Sequence, residues 1–349
     1  MHKYHFNIKL SNVRYNHAGS KAVEDCKSVL LSNGFKDIEI PFVKKAYMMP
    51  VNIIKLSCLL AYYKYKIEPA SLIVVQYPLL GINKYFKHFA SLLKSKNCRL
   101  VCIIHDLDSI RSNDNQQKIK AEIDNLNVYD AVIAHNEAMK SWLLQNGFVG
   151  KICLINLFDY LVADQPIFSK SFQEIAHVAF AGNLGRCKFL SKLPDVTGVK
   201  FNLYGPGLEE AGVSTTANIE WKGSFSPEKI VSEISGQYGL IWDGTSIENY
   251  TGLMGDYLKY NTPHKTSLYL VSGLPVIVHS TAAIANYITS NNLGIVVSSL
   301  TDLGSRLAAV SNEQYAEMRN NALQTSEKLK AGYFLKTAID WVIDNVCVK

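Results

Sequence analysis

The sequence predicts an α/β protein built from two doubly wound domains in succession. Three observations predict it. The chain has 349 residues, beyond the size at which one hydrophobic core usually keeps growing. Hydrophobic residues make up 48% and charged residues 19%, the balance of a packed globule rather than a disordered chain. Short β-branched runs alternate with helical patterns almost throughout, the signature of βαβ units and parallel sheets.

In the first half the strands are expected at Tyr4–Leu10, Asp37–Ile40, Ser71–Tyr77, Arg99–His105, Asp130–His135 and Lys151–Leu157. Helical patterns lie near 20–33, 50–64, 83–95, 115–126 and 137–146. Asn33-Gly34 and Asn146-Gly147 supply the left-handed residues that close helices. In the second half the strands are His177–Ala181, Lys200–Tyr204, Ile219–Lys222, Tyr238–Trp242, Pro275–His279 and Gly294–Val297. Helices are expected near 226–234, 264–272, 281–290, 300–310 and 312–329. Ser226-Pro227 and Thr262-Pro263 each read as an N-cap followed by proline at the first helical position. Leu161 to Ile175 is poor in periodicity, so the joint is expected near residue 165. This gives domains at 1–165 and 166–332, and an amphipathic last helix at 333–349 that packs back on the first domain.

The net charge of +6 suits an anionic substrate or membrane surface and falls short of a nucleic-acid footprint. Seven cysteines are scattered without metal-ligand spacing and read as buried free thiols of a reducing compartment. The N-terminus lacks the apolar core of a signal peptide. The longest apolar stretch, Val51 to Tyr63, is too short to span a bilayer. A cytoplasmic location is expected.

In open α/β sheets, ligands bind beyond the carboxyl ends of the strands. Four places carry candidate chemistry. Gly19 and Ser20 open the first helix, where backbone N–H groups favour anions or hydroxyls; the ordinary alternative is a plain βα turn. His105 and Asp106 end the strand LVCII and can serve as a general base, or one aspartate of Asp106-Leu107-Asp108 can cap the next helix. Gly182, Asn183 and Arg186 follow the first strand of the second half and suit a diphosphate cradle; a flexible turn with a solvated arginine is the bland rival. His264, Lys265 and Thr266 begin a helix. A lysine there opposes the macrodipole unless an anion sits between it and the helix end. Tyr204 and Asp243 each end a strand and complete the donor set, with loop capping the bland alternative for Asp243. His135, Asn136, Phe158, Asp159 and Tyr160 also end strands, with structural roles at least as well supported.

Taken together, IIHDLDSIR (103–111), AHNEAM (134–139), LFDYLV (157–162), AGNLGRCK (181–188), GLIWDG (239–244) and GDYLKYNTPHKTSLYL (255–270) resemble bacterial β-1,6-galactofuranosyltransferases of O-antigen assembly. The chain is more distantly similar to a glucosyltransferase that extends glycans on serine-rich bacterial adhesins. The resemblance implies a GT-B fold, two Rossmann-like domains facing a central cleft. It implies a UDP-sugar donor on the C-terminal domain, a lipid-linked oligosaccharide acceptor, and no cofactor or metal. Galactofuranose transfer from a UDP-α donor to a β linkage is an inverting displacement. Such a reaction needs one base on the acceptor and positive groups on the departing UDP. By motif position Arg186 and Lys265 bind the diphosphate. Asp106 is the first candidate for the base and His105 the second, with Gly19 and Ser20 on the acceptor side. The two-glutamate motif of retaining relatives is absent between Gly255 and Gly273.

Rival readings are transfer of glucose or galactopyranose on the same scaffold, a metal-dependent transferase using Asp106 and Asp108, and a non-catalytic sugar-nucleotide binder. A nicotinamide enzyme lacks its glycine fingerprint and acidic ribose binder. A lipid-linked acceptor also implies peripheral membrane contact, for which Lys44, Lys45 and Lys64 flank an apolar, aromatic helix. A homo-oligomer is compatible with all of these readings.

Overall fold

A computed structural model describes residues 1–11, 18–43, 49–79, 82–112, 116–163 and 175–347. Contacts divide the chain into two compact units. The first gathers the described residues of Met1–Tyr15, Val23–Ile155 and Leu335–Lys349; the second gathers those of Asn16–Ala22 and Asn156–Phe334.

The first unit holds β1 (Lys3–Ser11), β2 (Lys36–Val43), β3 (Leu72–Tyr77), β4 (Arg99–Ile104), β5 (Ala131–Ala134) and β6 (Lys151–Leu154). They form one sheet in the order β2-β1-β3-β4-β5-β6, with every pairing parallel. Alternation along the strands separates two faces. Phe6, Ile38, Val75 and Cys102 pack with Phe86, Phe89 and Ile123 in one core. The opposite face carries His5 beside Asp37 and Val74, and Gln76 beside Ile103. That polar row departs from the continuous hydrophobic runs usual in parallel strands.

The second unit holds β7 (Ala176–Ala181), β8 (Val199–Tyr204), β9 (Ile219–Gly223), β10 (Tyr238–Ile241), β11 (Val276–His279) and β12 (Gly294–Val297). Their order is β12-β11-β10-β7-β8-β9, again parallel. The strand order therefore reverses between β10 and β7, the position at which doubly wound sheets open a crevice. The helix Asn312–Lys330 starts in a full capping box made by Ser311 and Gln314, and Ser326 Oγ donates to Val271 O at 2.9 Å.

Local chemistry shifts several expected boundaries. Pro263 is the N-cap of the helix His264–Val271 rather than its first residue, and no side chain caps it. The helix expected over 226–234 shrinks to Ile230–Glu233, because Ser226 Oγ accepts from Lys229 N at 3.3 Å in a turn ahead of it. A 3-10 segment at Lys188–Asp195, containing Pro194, and short helices at Asp108–Arg111 and Gly252–Tyr257 have no counterpart in the sequence reading. Among the described residues no helix is long and apolar enough to cross a membrane.

Candidate active site

The end of β7 is held against the helix His264–Val271 by one tyrosine. A Cβ on Gly239 of β10 would meet Tyr269 Cγ at 2.1 Å, so only glycine lets the ring lie flat on the strand. The Tyr269 hydroxyl then accepts from Ala181 N at 2.8 Å. Beyond Ala181 the chain turns through Gly182, Asn183 and Arg186. Gly205, at φ +128, would place a Cβ 1.8 Å from Gly182 O, and Gly207 one 2.6 Å from Gly185 N, so the loops after β7 and β8 approach closely because of these glycines. Asn183 and Arg186 are exposed on this turn.

Lys265 occupies the first turn of its helix. Its Nζ donates to Trp242 O at 3.2 Å and lies 4.6 Å from the centre of the Phe180 ring. Carbonyl and π-face thus partly offset the unfavourable helix end, which an anion was expected to do alone. Buried Cys187 reports on the surrounding charge. Burial pushes its thiol up to about 11, Lys265 and Arg186 pull it down and Asp243 pushes it up. These three charges therefore act on one spot at the β10/β7 reversal. Asp243 also accepts from Gly244 N at 2.8 Å, the capping role weighed for it. The Tyr204 hydroxyl is engaged by Ser235, accepting from its backbone N at 2.9 Å.

Around the same helix start lie buried polar atoms without hydrogen-bond partners: Asn261 Oδ1, Thr266 Oγ1 and both ring nitrogens of His264. Buried polar groups are normally satisfied; elsewhere among the described residues of this unit the Tyr238 hydroxyl alone is left so. His264 stacks on Tyr160 at 5.0 Å. Burial, with the Lys21 charge adding to it, lowers His264 to about 4 against a small opposing effect of the Asp159 backbone. Lys21 is itself buried, donating to Leu161 O at 2.5 Å and lying over the Tyr160 ring. Gly19 and Ser20 precede it in the helix Ala18–Ser32. That first turn groups with the second unit although its sequence lies in the first half.

In the first unit, β4 delivers His105 and Asp106 to its carboxyl end. Asp106 Oδ2 accepts from Arg111 Nη1 at 2.7 Å. Glu122, buried in the helix Gln116–Leu126, accepts from the backbone N–H groups of Asp108 and Ser109 at 3.0 Å each, capping the short helix that follows. His105 Nε2 meets Gln76 Oε1 at 2.6 Å. Next to them His135 bonds Ile104 O through Nε2 at 2.9 Å, and burial lowers it to about 4. Asn136 caps its helix by accepting from Met139 N at 3.1 Å. Phe158, Asp159 and Tyr160 also have structural partners, in Ser267, Phe334 and Pro227.

The structure thus gathers Gly182, Arg186, Asp243 and Lys265 in the second unit, and His105 with Asp106 in the first. Lys21, Tyr269, Gly205 and Gln76 were not singled out in the sequence for these positions. Gly-rich strand ends could have signalled Gly205; for the others the contact arises only from folding. Among the described residues no group of three or more His, Cys, Asp or Glu side chains could hold a metal ion.

Comparison with known proteins places this architecture. Among solved structures, Anabaena HepE in complex with UDP and glucose aligns with TM-score 0.61 at 12% identity, over 99% of this chain and 100% of that one. Sucrose-phosphate synthase from Thermosynechococcus elongatus aligns with TM-score 0.60 at 11% identity, over 98% and 99%. The twin parallel sheets and these neighbours define a GT-B fold. The chain is 32% identical over 337 residues to the β-1,6-galactofuranosyltransferase WbbI of Escherichia coli (strain K12), covering 94% of this chain and 95% of that protein. It is 29% identical over 269 residues to glucosyltransferase 3 of Streptococcus gordonii, covering 76% and 77%. Models of the glucosyltransferase 3-like N-terminal and C-terminal domains match residues 5–157 and 178–342. The chain belongs to the glucosyltransferase 3-like family and is a glycosyltransferase.

Proposed function

We propose that this glycosyltransferase moves galactofuranose from UDP-galactofuranose to a hydroxyl of a lipid-linked oligosaccharide, with inversion and without a metal ion. The observation that carries the reading is the placement of two cations at the β10/β7 reversal: Arg186 on the glycine turn after β7, and Lys265 at a helix start against Trp242 O and the Phe180 ring. Two cations beside a glycine turn suit the diphosphate that departs with the bonding electrons. Gly182 and Asn183 offer backbone groups to its oxygens. The unpartnered atoms of Asn261, His264 and Thr266 line the same helix start, and a polar ligand there would satisfy donors and acceptors that are otherwise orphaned. In the first unit the strand-end pair His105 and Asp106 supplies the base for the acceptor hydroxyl.

Galactofuranose is favoured by the 32% identity to a galactofuranosyltransferase. Glucose is the second reading, favoured by the relatives described as glucosyltransferase 3. Incubating the protein with UDP-galactofuranose, UDP-galactopyranose and UDP-glucose, with EDTA present and lipid-linked acceptors supplied, separates them. Preferred transfer from UDP-galactofuranose is expected. Preferred transfer of glucose overturns the donor assignment, and loss of turnover in EDTA overturns metal independence.

A lipid-linked acceptor places the work at the inner face of the cytoplasmic membrane. The helix Met49–Lys66 exposes Val51, Ile54, Tyr62 and Tyr65. Lys64 and Lys66 lie over the rings of Tyr65 and Tyr62 at 5.6 Å each. A basic, aromatic helix face supports weak attachment to anionic lipid. Lys44 and Lys45, expected to share in it, lie outside the described residues.

A further inference from the structure

We propose that Gln76, His5 and Asp37 are positioning residues that lock the tautomer of His105, so that its Nδ1 takes the acceptor's proton. The proposal deepens the functional reading above and rests on it.

The argument starts from the strand register. His5 of β1 pairs with Asp37 of β2 and with Val74 of β3. Gln76 is two residues beyond Val74 and pairs with Ile103 of β4, and His105 is two residues beyond Ile103. Cross-strand partners share a face and side chains repeat every second residue. All four polar groups therefore emerge on one side of the sheet, opposite the apolar core.

They form a continuous chain. Asp37 Oδ1 is 2.9 Å from His5 Nδ1, His5 Nε2 is 2.9 Å from Gln76 Nε2, and Gln76 Oε1 is 2.6 Å from His105 Nε2. His5 is fully buried and Gln76 nearly so. The direction of every hydrogen bond follows from one fixed point. Gln76 Nε2 also lies 3.2 Å from Val23 O, and a carbonyl oxygen can only accept. The amide nitrogen must therefore face Val23, and the amide oxygen must face His105. An amide oxygen has no hydrogen, so His105 Nε2 carries the proton and its lone pair is on Nδ1. At the other end the amide N–H meets His5 Nε2, which must then accept, and the His5 proton sits on Nδ1 against Asp37.

The far end of the chain is anchored. Lys27 bridges Asp37 at 2.7 Å and Glu39 at 2.6 Å. Burial alone would raise Asp37, but the His5 and Lys27 contacts overcome it and hold the carboxyl below its ordinary range. Asp37 thus stays an acceptor for His5. Among the described residues the titratable groups beside His105 include Asp106 with its Arg111 partner and neighbouring His135, kept neutral by burial.

The chemistry balances in one step. The acceptor hydroxyl gives its proton to His105 Nδ1 while its oxygen bonds the anomeric carbon. The bond from that carbon to the UDP oxygen breaks, and UDP leaves with the pair. Holding one tautomer removes the fraction of molecules whose Nδ1 is already protonated.

The test combines histidine side-chain ¹⁵N NMR with kinetics, using His105→Asn to assign the signal. In the wild type His105 is expected to show a protonated Nε2 and an unprotonated Nδ1. Gln76→Leu should lose that preference and lower kcat by ~10–100-fold with the donor KM unchanged, within the range of general-base effects. Gln76→Glu places a carboxylate against Nε2–H and should move the acidic limb of the pH–rate profile upward by ~1–3 units. A wild-type His105 protonated on Nδ1 overturns the proposal, as does an unchanged tautomer in Gln76→Leu. If Gln76→Leu does not fold, the wild-type spectrum and the Gln76→Glu profile decide. The expected tautomer in a protein that transfers no UDP-sugar would overturn the functional reading while leaving the positioning chain in place.

Discussion

Replacing Lys265 with methionine separates a ligand-binding lysine from a structural one. In the unliganded protein the ammonium makes one hydrogen bond, to Trp242 O at 3.2 Å, and one π contact at 4.6 Å. Losing the hydrogen bond costs about 1 kcal/mol. Removing a cation from a helix N-terminus returns ~0.3–1 kcal/mol. With the π contact adding about 0.5–1 kcal/mol to the loss, the net cost is on the order of 1 kcal/mol, so the urea midpoint of Lys265→Met should fall only slightly. Binding UDP adds a charge-assisted contact worth ~1.5–3 kcal/mol. Its loss should weaken the dissociation constant ~10–150-fold, read by calorimetric titration with UDP. Unchanged UDP affinity in a normally stable variant would refute the assignment. A large fall in the unfolding midpoint would equally refute it, because the lysine would then be a packing residue.

Gly205→Ala forces a Cβ to within 1.8 Å of Gly182 O at φ +128; a loss of ~2–3 kcal/mol is expected by chemical denaturation, together with weaker UDP binding. Acid should destabilise both units. His135 and His264 fall from 6.5 to about 4 on folding, so the unfolded chain binds more protons between those values. Stability is then lost as pH falls from ~6.5 to ~4, by up to about 3 kcal/mol per histidine. Urea titrations at pH 7.5 and pH 5 should show this, with a shallower dependence in His135→Gln and His264→Gln. Flotation with anionic vesicles at low salt should recover the wild type and not the double variant Lys64→Glu, Lys66→Glu; neutral vesicles should recover neither.

The sequence carried the fold well because its signals were local. Most of the twelve strands among the described residues are short apolar runs between turn residues, and all of them lie within a few residues of the expected spans. Helices were less legible where proline or a serine turn competes with the α-helix, as at Lys188–Asp195 and ahead of Ile230. Lys265 and Arg186 stood out because a charge at a helix start or glycine turn is anomalous in one dimension. The His5–Gln76–His105 chain did not, since its members are 71 and 29 residues apart and meet only through the register of parallel strands. Alternation in MHKYHFNIKL did show that His5 and Phe6 face opposite ways. It could not show that Gln76 would arrive beside His5. Lys21 was hidden for a related reason: its partners Tyr160 and Leu161 are some 140 residues distant.

The grouping of residues from Leu335 onward with the first unit has a consequence for synthesis. Lys151 Nζ reaches Asn345 O, and Cys347 feels the charges of Arg99 and Asp130. On the ribosome the six strands of the first sheet emerge early, but the segment that completes their unit emerges only after the whole second unit. The N-terminal half must wait, unfinished, while its neighbour is translated. Vectorial folding therefore favours the second unit maturing first, and a premature stop near residue 334 would damage the part of the protein that was made longest ago.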